Sequence, residues 1–344
     1  MNYSDLKRYD PSFTLKYGTE DIVEVKTISH AHDPQDDSFI FIKNKKFLSD
    51  IGRLSSSDNF LYSGIVIESS FFDEIYRESS FKKIESRFLW IATVKDVNHS
   101  MCLLSKPFYE NTYGKLNYFV DGRQMGSASI SPNSQIAQGV FIGENVTIEE
   151  GVEVYPGAVI LPEVTVGPDT IIYPNVTVYP YTKIGRNCRI HANTSIGTDG
   201  FGYNFINGTH LKIWHLAGVE ISNDVELGSS TKIDAGAFMP TRIGEGTKAD
   251  NFVQISHNAQ IGKHNIFVGK SGVAGSVETG DYCIFAGGAG VAPGARNGKG
   301  CQIAAMALVS ENAIVPDGSV LSGHPARPLK EWLKSQAKLR QLIK

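Results

Sequence analysis

The chain has 344 residues, long enough for two or three domains and a sizeable core. A formal net charge of -3, with basic residues scattered rather than blocked, excludes the electrostatic footprint of a nucleic-acid or anionic-membrane binder. Cys102, Cys188, Cys283 and Cys301 lie far apart with no CxxC pair, and no apolar run approaches the roughly 18 residues of a membrane span, so a reduced, cytoplasmic, unanchored protein is expected.

Residues 1–128 read as a small α/β domain. The runs DIVEVKTIS, SFIFIKN, YSGIVIES and SRFLWIATV alternate or cluster β-branched and aromatic residues, and segments such as FFDEIYRES between them are helical in pattern. The second run continues as FIKNKKF, with Phe41, Asn44 and Phe47 at three-residue steps. As a pattern this fits a strand end with core aromatics as well as it fits a platform on which a base could stack.

Residues 129–324 read as a left-handed parallel β-helix of hexapeptide repeats. From Ile136 an aliphatic residue recurs every sixth position through Ile142, Ile148, Val154, Ile160, Val166, Ile172, Val178, Ile184, Ile190 and Ile196, and a small or branched residue often precedes it by two, as at Val146, Val152 and Val164. Each unit makes one short face, and three units close a coil. The period breaks at 198–218, TDGFGYNFINGTHLKIWHLAG, an excursion carrying Phe201, Tyr203, Phe205 and Trp214. It resumes at Ile221, Leu227 and Ile233, shifts by four residues around FMPT, and runs on to Leu321. Thr279 and Asn297 fall in inward slots, so less regular coils are expected there, and the unit count predicts about nine coils. Open solenoid flanks are usually covered by self-association, so a parallel homotrimer is expected. Residues 325–344, with Leu329, Trp332, Leu333, Leu339 and Leu342 at helical spacing, read as an amphipathic C-terminal helix.

Three motifs, DNFVQISHNAQIG around His257, IGTDGFGY and SGHPARPLKEW, resemble the UDP-3-O-(3-hydroxyacyl)glucosamine N-acyltransferases (LpxD) of lipid A biosynthesis, over nearly the whole chain. The resemblance implies that His257 is a general base toward a sugar amine, and that Gly275, in VGKSGVAGSVETG, offers its N–H to the oxyanion. It further implies that Phe41, Asn44 and Phe47 hold the nucleotide base. An amine attacking a thioester becomes cationic as the carbonyl oxygen becomes anionic, so a proton acceptor near neutrality and aimed N–H donors suit the chemistry. Asp250 or Asp234 could orient the His257 ring, and the sequence leaves that choice open. Phe201, Tyr203, Asn251 and Gln254 are assigned to the acceptor sugar, and Arg327 and Lys330 to the phosphates of the thioester donor, acyl-CoA or an acyl carrier protein. Neither a permanently bound cofactor nor a metal is expected.

The departures from that family point to a sister group. GGAGVAPGARNG has Gly294 where a second histidine is usual, IDAGA has Ala235 in place of an arginine, and the sequence stops at LRQLIK. They tilt the reading toward acylation of a dTDP-linked 4-amino-4,6-dideoxy sugar by acyl-CoA, with the lipid A acceptor as the alternative. A reading of another class starts from His210 and His215, an H-x4-H pair like those of trimeric β-helical zinc carbonic anhydrases. A solenoid used only as a scaffold would leave the N-terminal domain and the aromatic excursion without a task.

Overall fold

The computed structural model describes residues 1–33, 35–44, 62–76, 81, 88–323 and 328–342. The chain opens with helix α1 (Tyr3–Tyr9), started by a reciprocal capping box between Asn2 and Asp5. A five-stranded sheet follows, built from β1 (Thr14–Tyr17), β2 (Thr27–Ser29), β3 (Ser38–Ile42), β4 (Tyr62–Glu68) and β5 (Phe88–Val94). The strand order is β1-β5-β4-β3-β2, with β1 antiparallel and the other neighbours parallel. Parallel neighbours need crossovers that cover the sheet faces. Among the described residues, helix α2 (Ser69–Ile75) lies between β4 and β5, and α3 (Val97–Thr112) follows β5. Every residue of β3 is buried, as expected of a central parallel strand. Trp90, Phe13, Phe39, Phe81 and Phe108 are the largest fully enclosed side chains of this domain among the described residues.

From Ser129 the chain becomes a parallel β-solenoid. Successive coils pair in register eighteen residues apart, as in Val154↔Ile172 and Ile172↔Ile190, so three hexapeptides make one coil. The inward residue of each strand and the one two places before it are both buried, which gives a single continuous core from Val140 to Val315. Corners turn on residues with positive φ at six-residue steps, among them Asp169, Asn175, Asn187 and Asn193 at φ 53 to 63. Asn and Asp tolerate this left-handed conformation better than other residues with a Cβ.

Among the described residues the three sheets hold ten, nine and ten strands, nearly ten coils rather than nine. The count from sequence fell short because the strand at Ser129–Ile130 lies before the first clear repeat. The coils at Thr279 and Asn297 are also as regular as their neighbours, with Thr279↔Asn297 and Asn297↔Val315 in register. Interior polar atoms pair where they can: Asn265 Nδ2 donates to Thr279 Oγ1 at 2.8 Å.

The excursion is an ordered hairpin, not an irregular loop. Tyr203–Ile206 pairs antiparallel with Thr209–Lys212, and Asn207 and Gly208, at φ 50 and 82, form the two-residue turn that Asn-Gly favours. The hairpin lies on α3: Asn204 Nδ2 donates to the Asn98 carbonyl at 2.9 Å, and the Trp214 N–H donates to Ser105 Oγ at 3.0 Å. The four-residue shift at FMPT does similar work from the other side, placing Phe238 6.1 Å from the Phe41 ring. Arg242 adds an ion pair to Asp33 at 3.1 Å. Both breaks in the repeat therefore fasten the N-terminal domain to the solenoid.

The C-terminal helix Leu329–Leu342 is exposed along Leu329, Leu333, Leu339 and Leu342. No helix among the described residues is long and apolar enough to cross a membrane.

Phe267 and Phe285 stack one coil apart inside the solenoid, centroids 4.5 Å and planes 5° apart. Phe285→Ala should cost about 3–5 kcal/mol, because the rigid stack cannot collapse into the void. Denaturant unfolding of the two proteins side by side measures it, and a loss under about 1 kcal/mol would mean that the coils relax.

Candidate functional site

A cavity of about 230 Å³ lies where the N-terminal domain, the excursion and the solenoid meet. The solenoid contributes His257, Asn258 and Ser276; the excursion contributes Gly202, Ile213 and His215; β3 and the segments beside it contribute Ala31, Phe41 and Lys43. His257 and Gly275 stand at the second position after the inward residues Ile255 and Val273, whose strands are in-register neighbours. They therefore occupy the same slot in successive coils.

That slot has a property set by the fold. In seven other units it holds proline, at Pro132, Pro156, Pro162, Pro168, Pro174, Pro180 and Pro293, and where it does not, a side-chain oxygen of the coil often takes the N–H, as Asn223 does for Arg186 and Asp281 for Lys263, so the inter-coil ladder itself makes no use of an N–H there. The Gly275 N–H accordingly has no acceptor among the described residues, whereas the next residue, Ser276, donates to the His257 carbonyl at 2.9 Å. Gly275 also has to be glycine: a Cβ there would sit 2.6 Å from His257 Cε1 and 2.7 Å from Nε2. Gly200 and Gly202 serve a related end, because a Cβ would come within 2.5 Å of His257 Cβ or 2.9 Å of His215 Cε1. The excursion can cross both imidazoles only as bare backbone.

Asn258 sets the tautomer of His257. Its Nδ2 donates to the Met239 carbonyl at 3.1 Å and its N–H to Thr241 Oγ1 at 2.9 Å, which fixes the amide orientation. Its Oδ1, already accepting from the Ala237 N–H at 3.2 Å, then accepts from His257 Nδ1 at 3.0 Å. With Nδ1 as donor, Nε2 carries the lone pair, and it is the Nε2 edge that lies against Gly275.

Neither carboxylate proposed from the sequence orients the ring. Asp250 accepts from the backbone N–H groups of Asn251 and Gly269 at 2.7 and 3.0 Å, which braces a coil corner. Asp234 accepts from Gln254 Nε2 at 3.1 Å and Thr198 Oγ1 at 3.3 Å. Burial pushes its carboxyl up, with Gln254 and the nearby His257 opposing. Gln254 thus steadies Asp234, and Asn251 accepts from the Ser229 N–H at 2.7 Å, so both act within the scaffold.

The remaining sequence candidates are dispersed. Phe41 is buried, packs on Phe39 at 5.2 Å, and forms part of the cavity wall, while Asn44 is exposed beyond the end of β3. Phe47 and Arg327 lie outside the described residues. Phe201 and Tyr203 contact each other at 5.1 Å and are exposed, Phe201 by 87%, outside the cavity. Lys330 is exposed on the C-terminal helix. The H-x4-H pair has separate surroundings: His210 is exposed on the hairpin beside Phe205, whereas His215 is 1% exposed and edge-on to His257, centroids 5.3 Å apart. Among the described residues no three His, Cys, Asp or Glu side chains gather to hold a metal ion.

Sequence reasoning missed Asn258 and Lys43 as site residues, and it assigned His215 only to the zinc reading. The His-Asn dipeptide was a usable signal for Asn258, since the adjacent amide lies within 3.0 Å of Nδ1. Lys43 lies in FIKN next to Asn44, and burial pushes its ammonium down from the ordinary lysine value.

The bacterial transferase hexapeptide (six repeats) family matches residues 163–198. The UDP-3-O-acylglucosamine N-acyltransferase of Azorhizobium caulinodans is 52% identical over 147 residues, 43% of this chain and 41% of that protein. The protein of the same name from Wolinella succinogenes is 44% identical over 150 residues, 43% of this chain and 46% of its own length. The matched stretch thus spans less than half the length of these curated relatives. The solved UDP-N-acetylglucosamine acyltransferase of Francisella novicida is 26% identical, with a TM-score of 0.43 over 61% of this chain and 72% of that one. The chain is similar to hexapeptide-repeat N-acyltransferases.

Burial, followed by the neighbouring His257 and Lys212, pushes His215 down to about 4, with Asp199 and the Ile213 carbonyl opposing. In the unfolded chain it would titrate near 6.5. As pH falls below about 6.5 the unfolded state takes up a proton that the folded state refuses, so this residue's contribution to stability is present above that pH and is lost on the way down to about 4. The melting temperature should therefore fall more steeply over that window in the wild type than in His215→Leu. Parallel slopes would show that the ring is already hydrated in the folded state.

Proposed function

We propose that the chain is an N-acyltransferase that moves an acyl group from a phosphopantetheine thioester to the amine of UDP-3-O-acylglucosamine. The observation that carries this reading is an imidazole whose Nδ1 is tied to Asn258, with its Nε2 edge beside an N–H that the scaffold leaves unused. The amine nitrogen attacks the thioester carbonyl carbon, and Nε2 of His257 takes the proton the nitrogen sheds. The carbonyl oxygen, now negative, is met by the Gly275 N–H. Collapse of the tetrahedral intermediate re-forms the carbonyl, breaks the C–S bond and returns the proton from His257 to the leaving thiolate. Amide and thiol are the products, and the enzyme ends in its starting protonation state.

The acceptor follows the relatives' name. The tilt toward a dTDP-linked deoxyamino sugar rested on Gly294 and Ala235, and it is corrected here: both curated relatives are named for the UDP-linked acylglucosamine. The base is assigned to the outer end of β3, where Asn44 is exposed beyond the cavity wall formed by Phe41. Phe201 and Tyr203, exposed beside the site, are assigned to contact with a neighbouring subunit or the sugar, and the donor phosphates to Arg327 and Lys330. The donor is acyl-CoA or an acyl carrier protein.

His257→Ala should leave the fold intact and lower kcat by ~10² to 10⁴, the range for loss of a general base. Steady-state kinetics with saturating acceptor tests this, and a loss below about tenfold would remove the assigned role.

Solenoids of this kind expose long faces, and here Ile284, Leu308, Ile314 and Val320 stand outward on the last coils. Sedimentation at micromolar concentration should give a homotrimer. A fully active monomer would show that one chain contains the whole site.

A further inference from the structure

The mechanism above has no use for the second imidazole in the cavity. His215 is 1% exposed, and neither Nδ1 nor Nε2 has a hydrogen-bond partner among the described residues. The Ile213 carbonyl lies close enough to favour the charged form slightly, but burial and His257 prevail, so the ring is neutral at pH 7. A neutral imidazole presents one N–H and one lone pair, and a buried polar group without partners is unfavourable until something completes it. The ring lines the cavity, so its open positions are reachable by whatever the cavity holds.

The remaining walls limit what that is. Ala31, Phe41, Met101, Ile213, Ala237 and Phe238 make the greater part of the wall apolar, and Ser29, His30, Lys43, Asn258 and Ser276 are its other polar residues. Against the apolar part a sugar ring, with an oxygen on nearly every carbon, would lose most of its hydrogen bonds. An aliphatic chain with one oxygen function would bury its methylenes and pair that oxygen with His215. With the two ring centroids 5.3 Å apart, the oxygen held by His215 lies within a few bonds of the atom served by His257. Two groups in the proposed reaction meet that condition. One is the donor acyl chain, which can carry a hydroxyl close to its thioester. The other is the acyl ester on the acceptor, whose carbonyl neighbours the amine.

We propose that this cavity receives the acyl portion of a substrate, and that His215 is the specificity-determining residue that hydrogen-bonds the single oxygen function this portion carries. The choice of substrates rests on the N-acyltransferase reading; the geometry of His215 does not.

The test uses two pairs of ligands that each differ by one oxygen function: 3-hydroxyacyl against plain acyl pantetheine thioesters of equal length, and UDP-3-O-acylglucosamine against its 3-O-alkyl ether. Wild type, His215→Leu and His215→Gln are compared, after thermal melts establish that the variants fold. The wild type should prefer the oxygen-bearing member of one pair by roughly 10- to 100-fold in kcat/KM, the scale for leaving a buried polar group unpaired. His215→Leu should reduce that preference to within about threefold, mainly through KM. His215→Gln, which keeps a donor and an acceptor, should retain part of it. The pair that responds identifies which acyl group enters. A wild type without preference in either pair, or a leucine variant that keeps it, overturns the proposal. If no pair supports turnover, the N-acyltransferase reading fails while the His215 proposal is still decided, by the imidazole NMR signals missing from His215→Gln. Signals that move with an oxygen-bearing ligand and not with its counterpart uphold the proposal, and signals unmoved by all four overturn it.

Discussion

Everything in this molecule depends on the in-register stacking of one coil on the next. Because Ile255 pairs with Val273 and Val273 with Val291, any feature at a given slot is repeated one coil spacing away on the same face. This makes a solenoid a ruler. A side chain and a backbone N–H can be set beside each other with no loop between them, and the core from Val140 to Val315 holds the spacing rigid. Placing His257 in a slot that several coils fill with proline, and glycine in the same slot one coil on, sets an imidazole beside a residue whose N–H has no acceptor among the described residues.

Repetition alone leaves such a pair on an open face in water, where electrostatic stabilisation is weak. The two breaks in the repeat change that. The excursion crosses His257 and His215 on Gly200 and Gly202, and the FMPT shift delivers Phe238 against Phe41. The same shift supplies the Met239 carbonyl and the Ala237 N–H that lock Asn258. Thus a single irregularity both closes the cavity and fixes the tautomer inside it. Sub-ångström demands at the site explain why these segments are among the most constrained in backbone: a Cβ on Gly236 would lie 1.7 Å from the Met239 carbonyl oxygen.

How much of this the sequence reveals follows from the range of each interaction. The solenoid is legible because its inward residues recur at a fixed period and each obeys the same packing rule, so a dozen weak signals add. His257 is legible because it interrupts a slot whose usual occupants are bland. The hairpin is legible in Asn207-Gly208, the dipeptide that a two-residue turn favours, although the aromatic residues around it obscure the alternation of its strands. What the sequence left open was the choice between Asp250 and Asp234 as the group that orients the ring. In the fold Asp250 is taken up by the N–H groups of Asn251 and Gly269 and Asp234 by Gln254 and Thr198, and it is the Asn258 amide, oriented by Met239, that reaches Nδ1. The position of His215 was hidden for the same reason, since it depends on where an excursion returns and not on any local pattern.

The treatment of buried polar groups separates scaffold from site. Along the solenoid interior, Thr170 donates to the Gly185 carbonyl at 2.8 Å, Thr194 to Gly228 at 3.0 Å and Thr247 to Gly262 at 3.1 Å, so these enclosed hydroxyls pair with the coil above or below, while Thr182 and Ser271 lack partners and line no part of the cavity. Asn297 lacks partners but sits within the closed stack between Thr279 and Val315, where no ligand can reach it. His215 lacks them at the wall of a cavity, against His257, whose tautomer the fold controls through Asn258. A leucine would fill that space without the desolvation penalty, which for an unpaired buried group is about 1–3 kcal/mol. A residue that is unfavourable for the empty fold and is held open toward the reacting centre is better explained by the occupied state than by the empty one.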